Sequence, residues 1–102
     1  MRIRIANDAK QDLKRGYRFF EKQRSGLGAT YRESVMADVD RLKSLAGIHS
    51  RRGGFYHMVS RQFHQLVFYE IHGGEIVIYA IIDGRRHPMW IDRQLRRRRP
   101  PT

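Results

Sequence analysis

The chain has 102 residues and no cysteine, with 21 Lys plus Arg against 10 Asp plus Glu and a hydrophobic fraction of 40%, a composition that fits one small globular domain. Zero cysteine excludes thiol nucleophiles, disulfide frameworks and cysteine-type zinc sites. No apolar run reaches the roughly 18 residues of a membrane helix, and the polar stretch from Met1 to Asp8 does not read as a signal peptide, so the expectation is a soluble, cytoplasmic protein with no membrane partner. The net charge of +11 is uneven: residues 1–84 carry 14 basic and 9 acidic side chains, whereas residues 85–102 carry seven Arg and one Asp. Seventeen of the 21 cations are Arg, whose planar fork suits phosphates and carboxylates. An anionic partner is implied, either nucleic acid or an acidic protein.

In chain order, Arg2 to Ala6 alternates polar and apolar residues and predicts a short strand. Asp8 and Gln11 have the spacing of a capping box, and Ala9, Leu13, Tyr17 and Phe20 recur on one face of a helix from about Asp8 to Arg24. Ser25 to Gly28 breaks it. Tyr31, Val35, Val39, Leu42 and Leu45 or Ala46 give a second amphipathic stripe, with Gly47 as its stop. Two long helices joined so briefly form an antiparallel hairpin, and each needs a common surface to cover. Three runs rich in Val, Ile, Tyr and Phe supply it: Phe55 to Ser60, Gln65 to His72 and Glu75 to Asp83, the last two joined by a tight turn at Gly73-Gly74. Arg51 and Arg52 fall on the loop before them. Beyond the strands, Met89 to Leu95 predicts one helical turn, and residues 96–102 a disordered basic tail. The fold class is therefore α+β, a helical hairpin packed on a small antiparallel sheet with a short first strand at an edge, in one domain over residues 1–95.

That order of elements resembles the RelE/ParE superfamily of toxins from type II toxin–antitoxin systems. The likeness is carried by Gly16 to Gly28 at the helix junction, by Phe63-His-Gln-Leu-Val-Phe-Tyr-Glu-Ile71, and by Ile76 to Ile91 with its Arg85-Arg86-His87-Pro88 exit. The match is closer to the ParE-like, plasmid-stabilisation branch. The resemblance implies a growth-inhibiting bacterial toxin neutralised by a cognate antitoxin, whose acidic, partly helical segment lies along a basic and apolar groove. It also implies one of two targets. The ParE branch poisons DNA gyrase, and the RelE branch cuts mRNA on the ribosome.

Metal-free RNA cleavage requires a base, an acid and cationic stabilisation converging on one phosphate. His87, Arg61, Arg85 and Arg86 are the candidates for that chemistry. Ribonuclease members that resemble this chain carry an arginine inside the second meander strand, where Leu66 stands here, and a C-terminal tyrosine, whereas no Tyr follows Tyr79. His87 alone matches a histidine proposed as acid or base in some of them. As a binding surface for the antitoxin, the target or nucleic acid, the candidates are Arg51, Arg52, Arg61, Arg85, Arg86 and Trp90, with Trp90 expected to close the core. The five histidines lack metal-site spacing, so neither metal nor cofactor is expected. Glu21 and Glu33 are expected to pair with Lys22, Arg24 or Arg32. Three readings remain in order: a ParE-like toxin acting on gyrase by binding alone, a ribosome-dependent mRNA endonuclease, and a non-catalytic basic nucleic-acid-binding module.

Overall fold

In the computed structural model, which describes residues 1–98, the alternating segment Arg2–Ile5 forms β1. It lies parallel to a later strand, β5 (Glu75–Asp83), with Ile5 opposite Ile78. The Ala6 N–H then donates to the Ile78 carbonyl at 2.9 Å, so sheet pairing fixes the backbone up to the helix start. Helix α1 (Asn7–Gln23) begins at once, with Ala6 as its N-cap and no side-chain cap. The expected Asp8–Gln11 capping box is therefore not made. Asp8 lies inside the first turn instead, where its charge faces the positive helix end.

A break at Arg24–Gly26 leads into α2 (Leu27–Asp40), which after a turn at Arg41 continues as α3 (Leu42–Leu45). Glu21 makes none of the ion pairs expected of it. Its carboxylate accepts the Gly26 and Gly28 N–H groups at 3.0 to 3.1 Å, satisfying donors that a helix start leaves unpaired. Tyr31, Val35, Val39 and Leu42 are buried as their spacing predicts, and Ala46 rather than Leu45 carries the stripe on, since Leu45 is exposed. Together with Ala9 and Phe20 they cover one face of the sheet through Met58, Phe63, Val67, Tyr69, Ile76 and Ile78. Phe63 meets the Phe20 and Tyr31 rings edge-on at 4.8 and 5.7 Å between centroids.

The sheet has five strands in the order β1-β5-β4-β3-β2. Arg51–Arg52 form β2, antiparallel to β3 (Phe55–Ser60), where the sequence predicts a loop. The turn Gly53-Gly54, both at positive φ, closes this small hairpin, a signal as clear as the one between β4 (Gln65–His72) and β5. Gly73 and Gly74, at φ of 54° and 79°, take the backbone that such two-residue turns require. The β4–β5 register shifts by one residue after Phe68 and Ala80, so that Tyr69 pairs with Ile78 and Tyr79 bulges out.

The largest departure from expectation follows the sheet. Helix α4 runs from Pro88 to Arg98, in place of one turn followed by a disordered tail. His87 caps it, its backbone carbonyl accepting the Trp90 and Ile91 N–H groups and its ring Nδ1 accepting that of Met89 at 3.1 Å. Pro88 therefore occupies the first helical position, where proline is favoured. Ile91 and Leu95, spaced by one turn and almost fully buried, dock on Phe55, Phe68, Ala80 and Ile82. Burial of each contributes about 1.5–3 kcal/mol. The arginine run hid this helix because its polarity masks a two-residue apolar stripe, but Arg96–Arg98 are helical. The remainder of the expected tail, 99–102, lies outside the described residues. The sheet is thus covered on both faces, by the hairpin on one side and by α4 on the other.

Candidate functional site

Of the arginines singled out by the sequence, Arg51 and Arg52 form β2, whereas Arg61 and the Arg85-Arg86 pair flank the same end of the sheet, where Gln65 pairs with Asp83 and the Gly84 N–H donates to the His64 carbonyl at 2.7 Å. Arg51 donates to Glu70 at 2.9 Å and to the Gly54 carbonyl, and lies 4.4 Å over the Tyr56 ring. Arg52 faces Asp92 of α4 at 3.5 Å. Arg61 is exposed at the turn between β3 and β4 and makes no ion pair among the described residues. Arg85 grips both oxygens of Asp83, two residues back, at 3.1 and 2.8 Å. Those hydrogen bonds hold the Asp83 carboxyl below its ordinary range. Arg86 lies 3.7 Å above the Trp90 ring, and Trp90 itself is half-buried against the α4 cluster, so it closes the core with one side and lines a cleft with the other.

His87 is exposed, and its Nδ1 is engaged as a helix cap. Leu66, at the position where ribonuclease relatives by resemblance carry an arginine, packs against the apolar cluster that α4 completes. At this position the sheet offers a hydrocarbon side chain in place of a cation.

A cleft of about 690 Å³ lies between α1 and α4, along the edge of β5 that β1 leaves uncovered beyond Ile78. Its floor is polar and buried. Asp12, 7% exposed, accepts the Ile81 N–H at 2.9 Å, a contact from Arg15 at 2.8 Å and both terminal nitrogens of Arg98. Arg98 also donates to the Tyr79 carbonyl at 3.3 Å. Two side chains from helices 86 residues apart thus supply the hydrogen bonds that a neighbouring strand would give to Tyr79 and Ile81. Tyr31 lies beside this carboxylate, and burial, followed by the charges of Asp12 and Asp83, pushes its hydroxyl up to about 12. The walls carry Phe19, Arg15, Arg86, Trp90, Gln94 and Arg97.

Of this cleft the sequence reading contains only Arg86 and Trp90. Asp12 had a detectable signal, because it falls between Ala9 and Phe20 on the buried face of α1, where a carboxylate demands a partner. Arg98 had none. Nothing within one arginine run marks which member turns inward.

Among the described residues no group of three His, Asp or Glu side chains could hold a metal ion, and no helix is long and apolar enough to cross a membrane. A helical hairpin on one face of a mixed five-stranded sheet, with a last helix on the other face, makes this an α+β fold. The chain superimposes on a structure from the chromosomal ParDE toxin–antitoxin system of P. aeruginosa with a TM-score of 0.74, at 18% identity, over 81% of this chain and 95% of that one. It has, then, the ParE-like fold that its sequence resembles. No family model matches the sequence, and neither does any curated protein.

Proposed function

We propose that this protein is the toxin of a type II toxin–antitoxin system, neutralised by a cognate antitoxin, and that it stops growth by binding DNA gyrase rather than by cutting RNA. The likeness to a chain of a ParDE system supports the toxin role. The observation that carries the choice of target is α4 lying over the sheet face at Leu66. Two features that the ribonuclease members carry are missing, since the strand arginine is Leu66 and no tyrosine follows Tyr79, and the one matching histidine, His87, has its Nδ1 engaged in capping α4. Arg85, one of the cations that RNA cleavage would call on, is already tied to both oxygens of Asp83. The plain nucleic-acid-binding module explains the charge but not the fold. An excess of positive charge on a toxin also favours tight association with an acidic antitoxin segment.

The test is a gyrase supercoiling and DNA-cleavage assay with purified protein, run beside primer extension on a translated mRNA. Inhibited supercoiling with accumulated cleaved DNA and intact mRNA is the expected result. Normal supercoiling at saturating protein, with mRNA cut in the ribosomal A site, would replace this function with the endonuclease one.

A further inference from the structure

The cleft between α1 and α4 combines buried, paired carboxylates with exposed arginines and aromatic rings. Its carboxylates are largely spent inside the protein: Asp12 is taken by Arg98 and Arg15, and Asp83 by Arg85. Arg86 and Arg97, by contrast, line the same cleft and make no ion pair among the described residues. Every cation lining it is a guanidinium, the group that both binds phosphate bidentately and stacks on flat rings. Two aromatic side chains accompany them. Phe19 is 57% exposed although its neighbour Phe20 is in the core, and Trp90 lies beneath Arg86. On α4, Gln94 uses its oxygen to accept from Arg98 at 3.4 Å, which leaves its amide N–H groups as donors towards the cleft.

The geometry points to a binding site for single-stranded nucleic acid in this cleft, with Phe19 and the outer face of the Arg86 guanidinium, seated on Trp90, as platforms for bases and Arg97 as the phosphate contact. Unpaired bases stack on exposed rings whatever their identity, and arginines beside them track the backbone. A peptide of acidic residues alone would satisfy the arginines but leave the two planar platforms uncovered. Asp8 lines the α1 side and repels phosphates there, which sets the backbone path along α4 and turns the bases towards Phe19. The cleft volume lies within the range of pockets that enclose a nucleotide-sized ligand. The inference does not depend on the toxin reading or on the identity of the target.

Because Trp90 is the single tryptophan, its fluorescence reports on this site alone. Titration of the full chain with oligodeoxythymidine and oligouridine of about 12 nucleotides, a length within the usual footprint of such sites, is expected to quench Trp90 in step with the rise in anisotropy of a labelled strand. Phe19→Ala, at an exposed position, should weaken binding by about tenfold. Arg97→Gln should lower the slope of log affinity against log salt by about 0.7. Arg2→Gln, on β1 opposite Glu75 at the end of β5 away from the cleft, serves as the control and should leave the Trp90 signal unchanged. The relative affinity of the two strands assigns the sugar. Binding without Trp90 quenching, an unaffected Phe19→Ala variant, or displacement by polyglutamate of matched charge as effectively as by unlabelled strand would each overturn the site in favour of a general polycation effect.

Discussion

The buried pair Asp12–Arg98 offers the sharpest test of how α4 is held. Asp12→Ala removes a carboxylate whose side chain is 6% exposed from a guanidinium that is 8% exposed, and it also orphans the Ile81 N–H. Breaking a buried pair by deleting one partner costs about 3–5 kcal/mol, because the remaining charge stays desolvated. Arg98→Ala should cost less, about 1–3 kcal/mol, since Asp12 keeps Arg15 and the Ile81 amide. The doubly substituted protein should be less destabilised than the two single losses added together. Arg15→Ala is the internal control. Its side chain is 61% exposed, and pairs at such positions are worth about 0–1 kcal/mol. Equilibrium urea unfolding followed by far-UV circular dichroism gives all four values, and for a domain of this length a loss of 3 kcal/mol corresponds to a Tm lower by more than about 12 °C. If Asp12→Ala costs no more than Arg15→Ala, Arg98 is not seated on Asp12. The last turn of α4 would then be a solvated arginine segment, as the sequence suggests.

Three further outcomes follow from the same packing. Gly16→Ala should lower Tm although alanine favours helices: its Cβ would lie 2.3 Å from the Tyr31 hydroxyl, and overpacking of this kind costs about 1–3 kcal/mol. Tyr31 keeps its proton in the folded protein up to about 12, whereas an unfolded tyrosine loses it near 10. The stability it contributes is therefore complete below pH 10 and is lost as the pH rises from 10 towards 12. Alkaline unfolding should be shallower in Tyr31→Phe, and an unchanged profile would show that the ring is not desolvated beside Asp12. His87→Ala should cost about 0.5–2 kcal/mol through loss of the α4 cap while leaving growth inhibition intact, measured by colony counts after induction. Loss of toxicity with the fold preserved would return His87 to a catalytic role.

Much of the fold is legible in the sequence because its signals are local. The three long strands begin and end where the β-branched and aromatic runs do, and the stripe Tyr31, Val35, Val39 and Leu42 is buried as its helical period predicts. What escapes is decided by partners distant in the chain. The start of α1 depends on Ala6 being held by Ile78, so the local capping signal at Asp8 loses. Arg51–Arg52 pair because β3 offers an edge, not because two arginines prefer a strand. Helix α4 forms on an apolar surface assembled from three strands, against a sequence whose composition argues for solvent. For the candidate site, the sequence marks Arg86 and Trp90, which join the Asp83-to-Pro88 exit, but the opposite wall on α1 is invisible without the hairpin's orientation.

The two-sided covering of the sheet has a consequence for how the protein is made. The face formed by Phe55, Phe68, Ala80 and Ile82 is complete once β5 has been synthesised, yet α4, which shields it, is translated only afterwards. Until α4 docks, the chain presents that apolar strip, and the Tyr79 carbonyl and the Asp12 carboxylate that holds the Ile81 N–H both lack Arg98. Such surfaces are what chaperones and premature pairing act on. A chain truncated within residues 88–98 would accordingly leave a surface able to aggregate, and the arginine-rich segment is where correct closure of the molecule is decided.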